Sequence, residues 1–168
     1  MAVRMVVLGV FGAMVLASGC SRSAPAPGQV VAITQVCGGS DASRVRLTGY
    51  LRYRRELLSF CSNFGGHKTC DLELYESAEA PPQFDILHPR TGPEPVIAAL
   101  SVPVGSQPGE MTELPDKFKA SDIRVNLPNG AAAGEGTRIT IDGKLSVVPG
   151  DAKTPKSCFV NVEWAVAG

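Results

Sequence analysis

The sequence predicts an all-β domain, a small antiparallel barrel or sandwich with long loops. Three observations lead there. Four segments alternate apolar and polar residues with a period of two, the signature of half-buried strands. Glycine (18) and proline (13) are abundant among the 168 residues and cluster between those segments. Few segments invite a helix; Glu110 to Ala120 is the best of them, and Pro115 limits it to a turn or two.

The elements follow in chain order. "RVRLTGYLRY" sets Val45, Leu47, Gly49, Leu51 and Tyr53 on one face, against Arg44, Arg46, Thr48, Tyr50, Arg52 and Arg54 on the other. "CDLELYE" directs Cys70, Leu72 and Leu74 inward, and Asp71, Glu73 and Tyr75 outward. "RITIDGKLSV" directs Ile139, Ile141, Gly143, Leu145 and Val147 inward. "CFVNVEWAV" does the same for Cys158, Val160, Val162, Trp164 and Val166. Val30 to Val36, Val96 to Val104 and Ile123 to Leu127 are less regular strand candidates. Ala80 to Pro95 holds five prolines and reads as a surface excursion. "LPNGAAAGEG" reads as a turn and a flexible loop.

The order narrows the architecture. A long first strand with a central glycine leads through a cysteine-bounded segment to a second strand. Later comes "GTRITIDGKLSV", and the chain ends on an apolar alternating strand. With its "TGYL" and "IDGKL" steps, this resembles the five-stranded oligonucleotide/oligosaccharide-binding (OB) barrel over about residues 45–166. Glycine inside a strand marks a bulge or bend, which a small closed barrel needs. An immunoglobulin-like sandwich is the alternative. The lone Trp164 follows all the cysteines and so departs from that fold's Cys-Trp-Cys order.

The first nineteen residues are of another kind. Arg4 precedes an apolar run too short to span a bilayer, and Ala17, Ser18 and Gly19 then lead into Cys20. Leu16-Ala17-Ser18-Gly19-Cys20 resembles the lipobox of bacterial lipoproteins, with Ala17 standing where leucine is commoner. The resemblance implies cleavage before Cys20, lipidation of its sulfur and acylation of its new amine. It also implies a membrane partner reached through the lipid. Ser21, not aspartate, follows the cysteine, which in that family implies export to the periplasmic face of the outer membrane. Residues 1–19 are then the signal peptide, and 20–29 the lipidated cysteine and a Pro-rich extended tether. Residues 30–168 form a single domain.

Charge and cysteines bound the chemistry. The chain has 16 basic and 16 acidic residues, and the leader removes only Arg4. That balance argues against nucleic acid as a partner. Four cysteines remain beyond Cys20, and four allow three disulfide pairings. Export favours disulfides, and Cys61–Cys70 with Cys37–Cys158 is the preferred pairing. Chain entropy assigns them about 2.7 and about 5 kcal/mol respectively. Cys61, His67 and Cys70 offer three metal ligands, but Cys-x5-His-x2-Cys is not a zinc spacing. No metal or cofactor is expected. His67 and His88, the latter before Pro89, read as loop residues.

Candidate binding residues are Arg46, Tyr50, Arg52 and Arg54 on the first strand. Arg44 and Arg55 flank them. Guanidinium groups around a tyrosine suit an anion or a glycan. Against this, Asp71 and Glu73 offer the same arginines cross-strand ion pairs. Lys153 and Lys156, in the loop "PGDAKTPKS", are further candidates, because that loop flanks the ligand in OB barrels. No Gly-x-Ser-x-Gly elbow occurs, and eight residues separate Cys61 from Cys70, not the two of a redox motif. The expected role is therefore non-catalytic: binding or structural, toward an envelope protein or glycan. An anion- or glycan-binding module using the Arg/Tyr face is one alternative, and a small hydrolase the other.

Overall fold

The computed structural model describes residues 23–53, 61–64, 66–79, 97–150 and 157–168. The leader, Cys20, residues 54–60, the whole Pro-rich excursion and residues 151–156 lie outside them. The described residues form nine strands: β1 Gln29–Val30, β2 Arg44–Tyr53, β3 Cys61–Phe64, β4 His67–Tyr75 and β5 Ile97–Pro103, then β6 Val125–Asn126, β7 Ala132–Ala133, β8 Arg138–Val148 and β9 Ser157–Ala167.

A sheet with one apolar face can bury that face by closing on itself, and these strands do so. The sheet runs β1-β2-β8-β9-β5-β4-β3, and an antiparallel pairing of β2 with β4 closes it. The result is a five-stranded OB-like barrel of β2, β4, β5, β9 and β8. Its neighbours are antiparallel except β5 and β9, which run in parallel. The sandwich alternative is excluded by this closure.

Inside sit Val45, Leu47 and Leu51 from β2, Cys70, Leu72 and Leu74 from β4, and Leu100 and Val102 from β5. Ile139, Ile141 and Leu145 from β8 and Val160 and Val162 from β9 complete the barrel interior. Ile33 and Val36, from a 3-10 turn over Ile33–Gly38, join this core. Met111, Ile123, Val125, Leu127 and Ala133, from the long β5–β8 connection, join it as well. The interior of the barrel is thus a packed apolar core.

Gly49 does not mark a bulge, since β2 and β8 stay in continuous register from Arg44↔Lys144 to Tyr50↔Arg138. It is the point where β2 turns from β8 to β4. A Cβ there would stand 2.8 Å from the Leu74 side chain and 2.9 Å from Ile33, so only glycine lets the strands close. The bulge lies elsewhere. Asp142 pairs with Trp164 while Gly143 pairs with Val162, leaving Glu163 as the extra residue on β9.

That bulge corrects the sequence reading of the last strand. Past Glu163 the faces exchange, so Ala165 points into the core and Trp164 outward beside Asp142. Val166 is likewise outward, opposite Thr140, and only half-buried. Trp164 is nevertheless 9% exposed, because the 105–110 loop lies on it. Gly109 adopts φ +90°, and a Cβ there would come within 2.7 Å of the Trp164 Cα.

Other expectations change for local reasons. Val30 to Val36 forms only the two-residue β1, because Ile33 and Val36 need the three-residue spacing of a 3-10 turn to reach the core together. Glu110 to Ala120 makes no helix, since Met111 and Ile123 are both pulled into the core across Pro115. A 3-10 turn, Ala120–Asp122, is all that forms there. Of Ile123 to Leu127 only β6 is strand. Its partner β7 comes from the segment read as a loop, whose Ala133 is fully buried. His67 opens strand β4, exposed, opposite Phe64 in a hairpin. Glu73 and Tyr75 face outward as expected but are covered, 5% and 1% exposed, and the Tyr75 hydroxyl donates to Glu73 Oε2 at 2.9 Å.

Both preferred disulfides form. Cys37–Cys158 joins the end of the 3-10 turn to the start of β9, 121 residues apart in sequence. Cys61–Cys70 joins directly opposed residues of β3 and β4, with Cα atoms 4.0 Å apart.

Candidate functional site

The arginine-bearing side of β2 is the outer surface of the barrel, and the structure divides it in two. At the first half of the strand the cations are consumed by acids from β8 and β9. Arg46 lies opposite Asp142 and grips it with a fork: Nη2 to Oδ2 at 2.6 Å, and Nε to Oδ1 at 3.0 Å. The Gly28 N–H donates to the same Oδ1 at 2.8 Å, fastening the segment before β1 to the barrel. Asp142 is 2% exposed. Burial by itself would raise its pKa, but the Arg46 fork, the Gly28 N–H and the charges of Arg46 and Arg44 outweigh burial. The carboxyl is held below its ordinary range. The Arg46 pKa is raised, chiefly by its hydrogen bond to Asp142.

Arg44 Nη2 lies 2.8 Å from Oε2 of Glu163, close but off the hydrogen-bond direction, and Lys144 Nζ lies 3.5 Å from Oε1. The bulge thus serves charge pairing: the extra residue reaches two cations of β2 and β8. The cross-strand partners expected from Asp71 and Glu73 are therefore supplied to Arg44 and Arg46 by β8 and β9. The missed signal is the Asp of "IDGKL", an acid at an outward strand position opposite an arginine.

The second half of β2 is different. Tyr50 is half-buried on the outward face, opposite Tyr75 on one side and Arg138 on the other. Arg52 donates to the Ala78 carbonyl and lies 3.7 Å from Glu135, which belongs to the turn before β8. Arg52 Nε is buried without a hydrogen-bond partner. Beyond Glu135 opens a cleft of about 310 Å³ lined by Ser121, Arg124, Gly134 and Glu135. The Arg124 Nε donates to the Ser121 carbonyl at 3.2 Å, which sets the plane of its guanidinium. No protein-family model matches the chain, and no curated protein matches it.

Sequence reasoning named Tyr50 and Arg52 at this end and missed Ser121, Arg124 and Glu135. No periodicity marks these three, because they lie on connections that only the closed barrel brings beside β2. Arg54, Lys153 and Lys156 lie outside the described residues. Arg46 is in place but committed to Asp142. Among the described residues no group of three His, Cys, Asp or Glu side chains is placed to hold a metal ion.

Proposed function

We propose that this chain is a lipid-anchored protein of the bacterial envelope, held at the periplasmic face of the outer membrane. Its barrel binds an envelope protein or glycan without catalysis. The observation that carries the reading is the combination of a Leu-Ala-Ser-Gly-Cys leader with a following domain stapled by two disulfides. Such crosslinks persist outside the reducing cytoplasm. The tether supports the same picture. Gly28 is fastened by Asp142, so residues 21–27 alone separate the lipidated cysteine from the barrel. An extended chain of that length reaches about 25 Å at most.

The intact mass of the native protein tests the anchor. It should match a chain beginning at Cys20 with acyl chains added; a mass retaining residues 1–19 with a bare sulfur overturns the reading. Crosslinking in intact cells followed by mass spectrometry tests the binding role. A reproducible envelope partner is expected, and recovery of the protein alone counts against it. Labelling by serine- or cysteine-directed active-site probes would favour the hydrolase alternative instead.

The anion- or glycan-binding reading is retained, relocated along the strand. With Arg44 and Arg46 paired to acids, the end of β2 carrying Tyr50 and Arg52 is the part of the arginine face that favours it.

A further inference from the structure

We propose that the outer face of β1, β2 and β8 docks on the bilayer that holds the anchor, with Val30 in the interface and Lys144 and Arg138 against the phosphates of anionic lipid headgroups. This docking rests on the lipid-anchor reading and goes beyond it by fixing which side of the barrel meets the membrane.

Four observations carry the proposal. First, the chain arrives across this face. Gly28 leads into β1, which pairs with the edge of β2 away from β8, yet its N–H donates to Asp142 of β8 at 2.8 Å. A flat neighbour of β2 would stand two strand spacings from β8, about 9.5 Å, which an aspartate side chain does not bridge. Gly28 instead lies against the Val45 backbone, where a Cβ would come within 2.5 Å of the Val45 carbonyl carbon. The incoming chain therefore runs over the outer surface of β2, on the side to which Asp142 points.

Second, the tether is short. Residues 21–27 reach about 25 Å at most, so a lipidated Cys20 holds this face close to the bilayer. A short tether also gives an effective concentration in the millimolar range, so even a weakly binding face stays docked. Third, Val30 lies at the root of the tether and is 78% exposed. It pairs with Arg46 in parallel register and so shares the outward side of that residue. Tyr50, half-buried further along β2, adds an aromatic ring with a polar tip, a side chain suited to a membrane interface.

Fourth, the exposed charges on these strands are cationic. Arg44 and Lys144 share the one carboxylate of Glu163, whose side chain is 21% exposed against 55% for Lys144. Asp142 is buried beneath Arg46. Arg138, at the other end of the outward row of β8, is exposed. Three further acids lie at the rim, and each is held by a neighbour: Asp41 by the Val147 N–H, Glu110 by the Gln107 N–H and Glu135 by Arg52.

The test uses the full-length lipidated protein in vesicles of phosphatidylethanolamine and phosphatidylglycerol. A trace of phosphatidylethanolamine carries a photoactivatable group on its headgroup, and crosslinked peptides are mapped by mass spectrometry. Crosslinks are expected in residues 28–32, 44–50 and 138–146. The double variant Val30→Asp, Lys144→Glu should lower them at least about fivefold, the effect of removing one cation from an anionic surface. Replacing phosphatidylglycerol by phosphatidylcholine should lower them in the unaltered protein too. An unchanged urea midpoint shows that the variant is folded, and flotation with the vesicles shows that it is still anchored.

Crosslinks concentrated on β5 and the β3–β4 hairpin, across the barrel, overturn the proposal. So do crosslinks spread evenly over the surface, or a yield that neither the variant nor the neutral lipid changes. Flotation with any of these results removes the docking face and leaves the anchor standing. An unlipidated protein that fails to float refutes the anchor and the docking together.

Discussion

Asp142 is the residue on which the outer face turns. Its carboxylate ties together β2, β8 and the chain arriving at β1 through Arg46 and the Gly28 N–H. Because the folded pKa is depressed, its contribution to stability is complete above the ordinary aspartate value, about 3.9. It is lost as pH falls below that toward the folded value. Asp142→Asn should therefore flatten the acid limb of a stability–pH curve measured by urea unfolding. Asp142→Ala leaves the arginine and the amide unpaired. Arg46 is about one-third exposed and partly screened by water, so a loss of about 1–3 kcal/mol is expected at neutral pH. Urea midpoints of the two variants and the parent check both outcomes, and an unchanged acid limb in Asp142→Asn would refute the assignment.

Gly49 is a second single-residue determinant. Gly49→Ala forces a methyl against the Tyr75 carbonyl and the Leu74 side chain where β2 passes from β8 to β4. Overpacking of this kind costs about 1–3 kcal/mol, measurable as a lower urea midpoint with an unchanged slope.

Among the elements, β9 shows how one extra residue alters an inference made from alternation. Strict alternation places Trp164 inside and Ala165 outside, whereas the bulge at Glu163 reverses them. Ala165→Leu should therefore destabilise by about 1–3 kcal/mol by overpacking the barrel. An outward alanine would tolerate the same change within about 0.5 kcal/mol. Guanidinium or urea unfolding separates the two. β4 teaches a related lesson. Its inner residues Cys70, Leu72 and Leu74 follow the pattern, but Glu73 and Tyr75 are buried on the other face. Alternation says which way a side chain points. It does not say whether another segment lies over that face.

Across the whole molecule, the two disulfides divide the work by loop length. Cys37–Cys158 ties the first part of the domain to its last strand over 121 residues, and Cys61–Cys70 spans nine within one hairpin. If chain entropy dominates, replacing both Cys37 and Cys158 by alanine costs about 5 kcal/mol, against about 2.7 for the Cys61 and Cys70 pair. The long crosslink should thus govern thermal stability under oxidising conditions. Thermal melts of both double variants check the order, and equal losses would show that local strand pairing, not loop length, sets the contribution. Cutting the Asp142 clasp should leave the core intact and free the segment before β2. Limited proteolysis of Asp142→Ala should then show new cleavage near residues 27–31 with the barrel itself resistant.

By itself the sequence determined the β class and, from one glycine-bearing strand and the order of its neighbours, pointed to the OB-like barrel over a sandwich, a choice that the β2–β4 closure decided. It also determined the inner faces of β2, β4 and β8, because these depend on period-two patterning, which is local, and it favoured one of three disulfide pairings, which the fold then settled. Only the tertiary structure decided which acids meet which arginines, where the bulge falls, what covers Trp164, and that Arg52 shares an end of the barrel with Arg124 and Glu135. Those facts depend on register and on long connections folding back across the strands, and neither leaves a periodic trace along the chain.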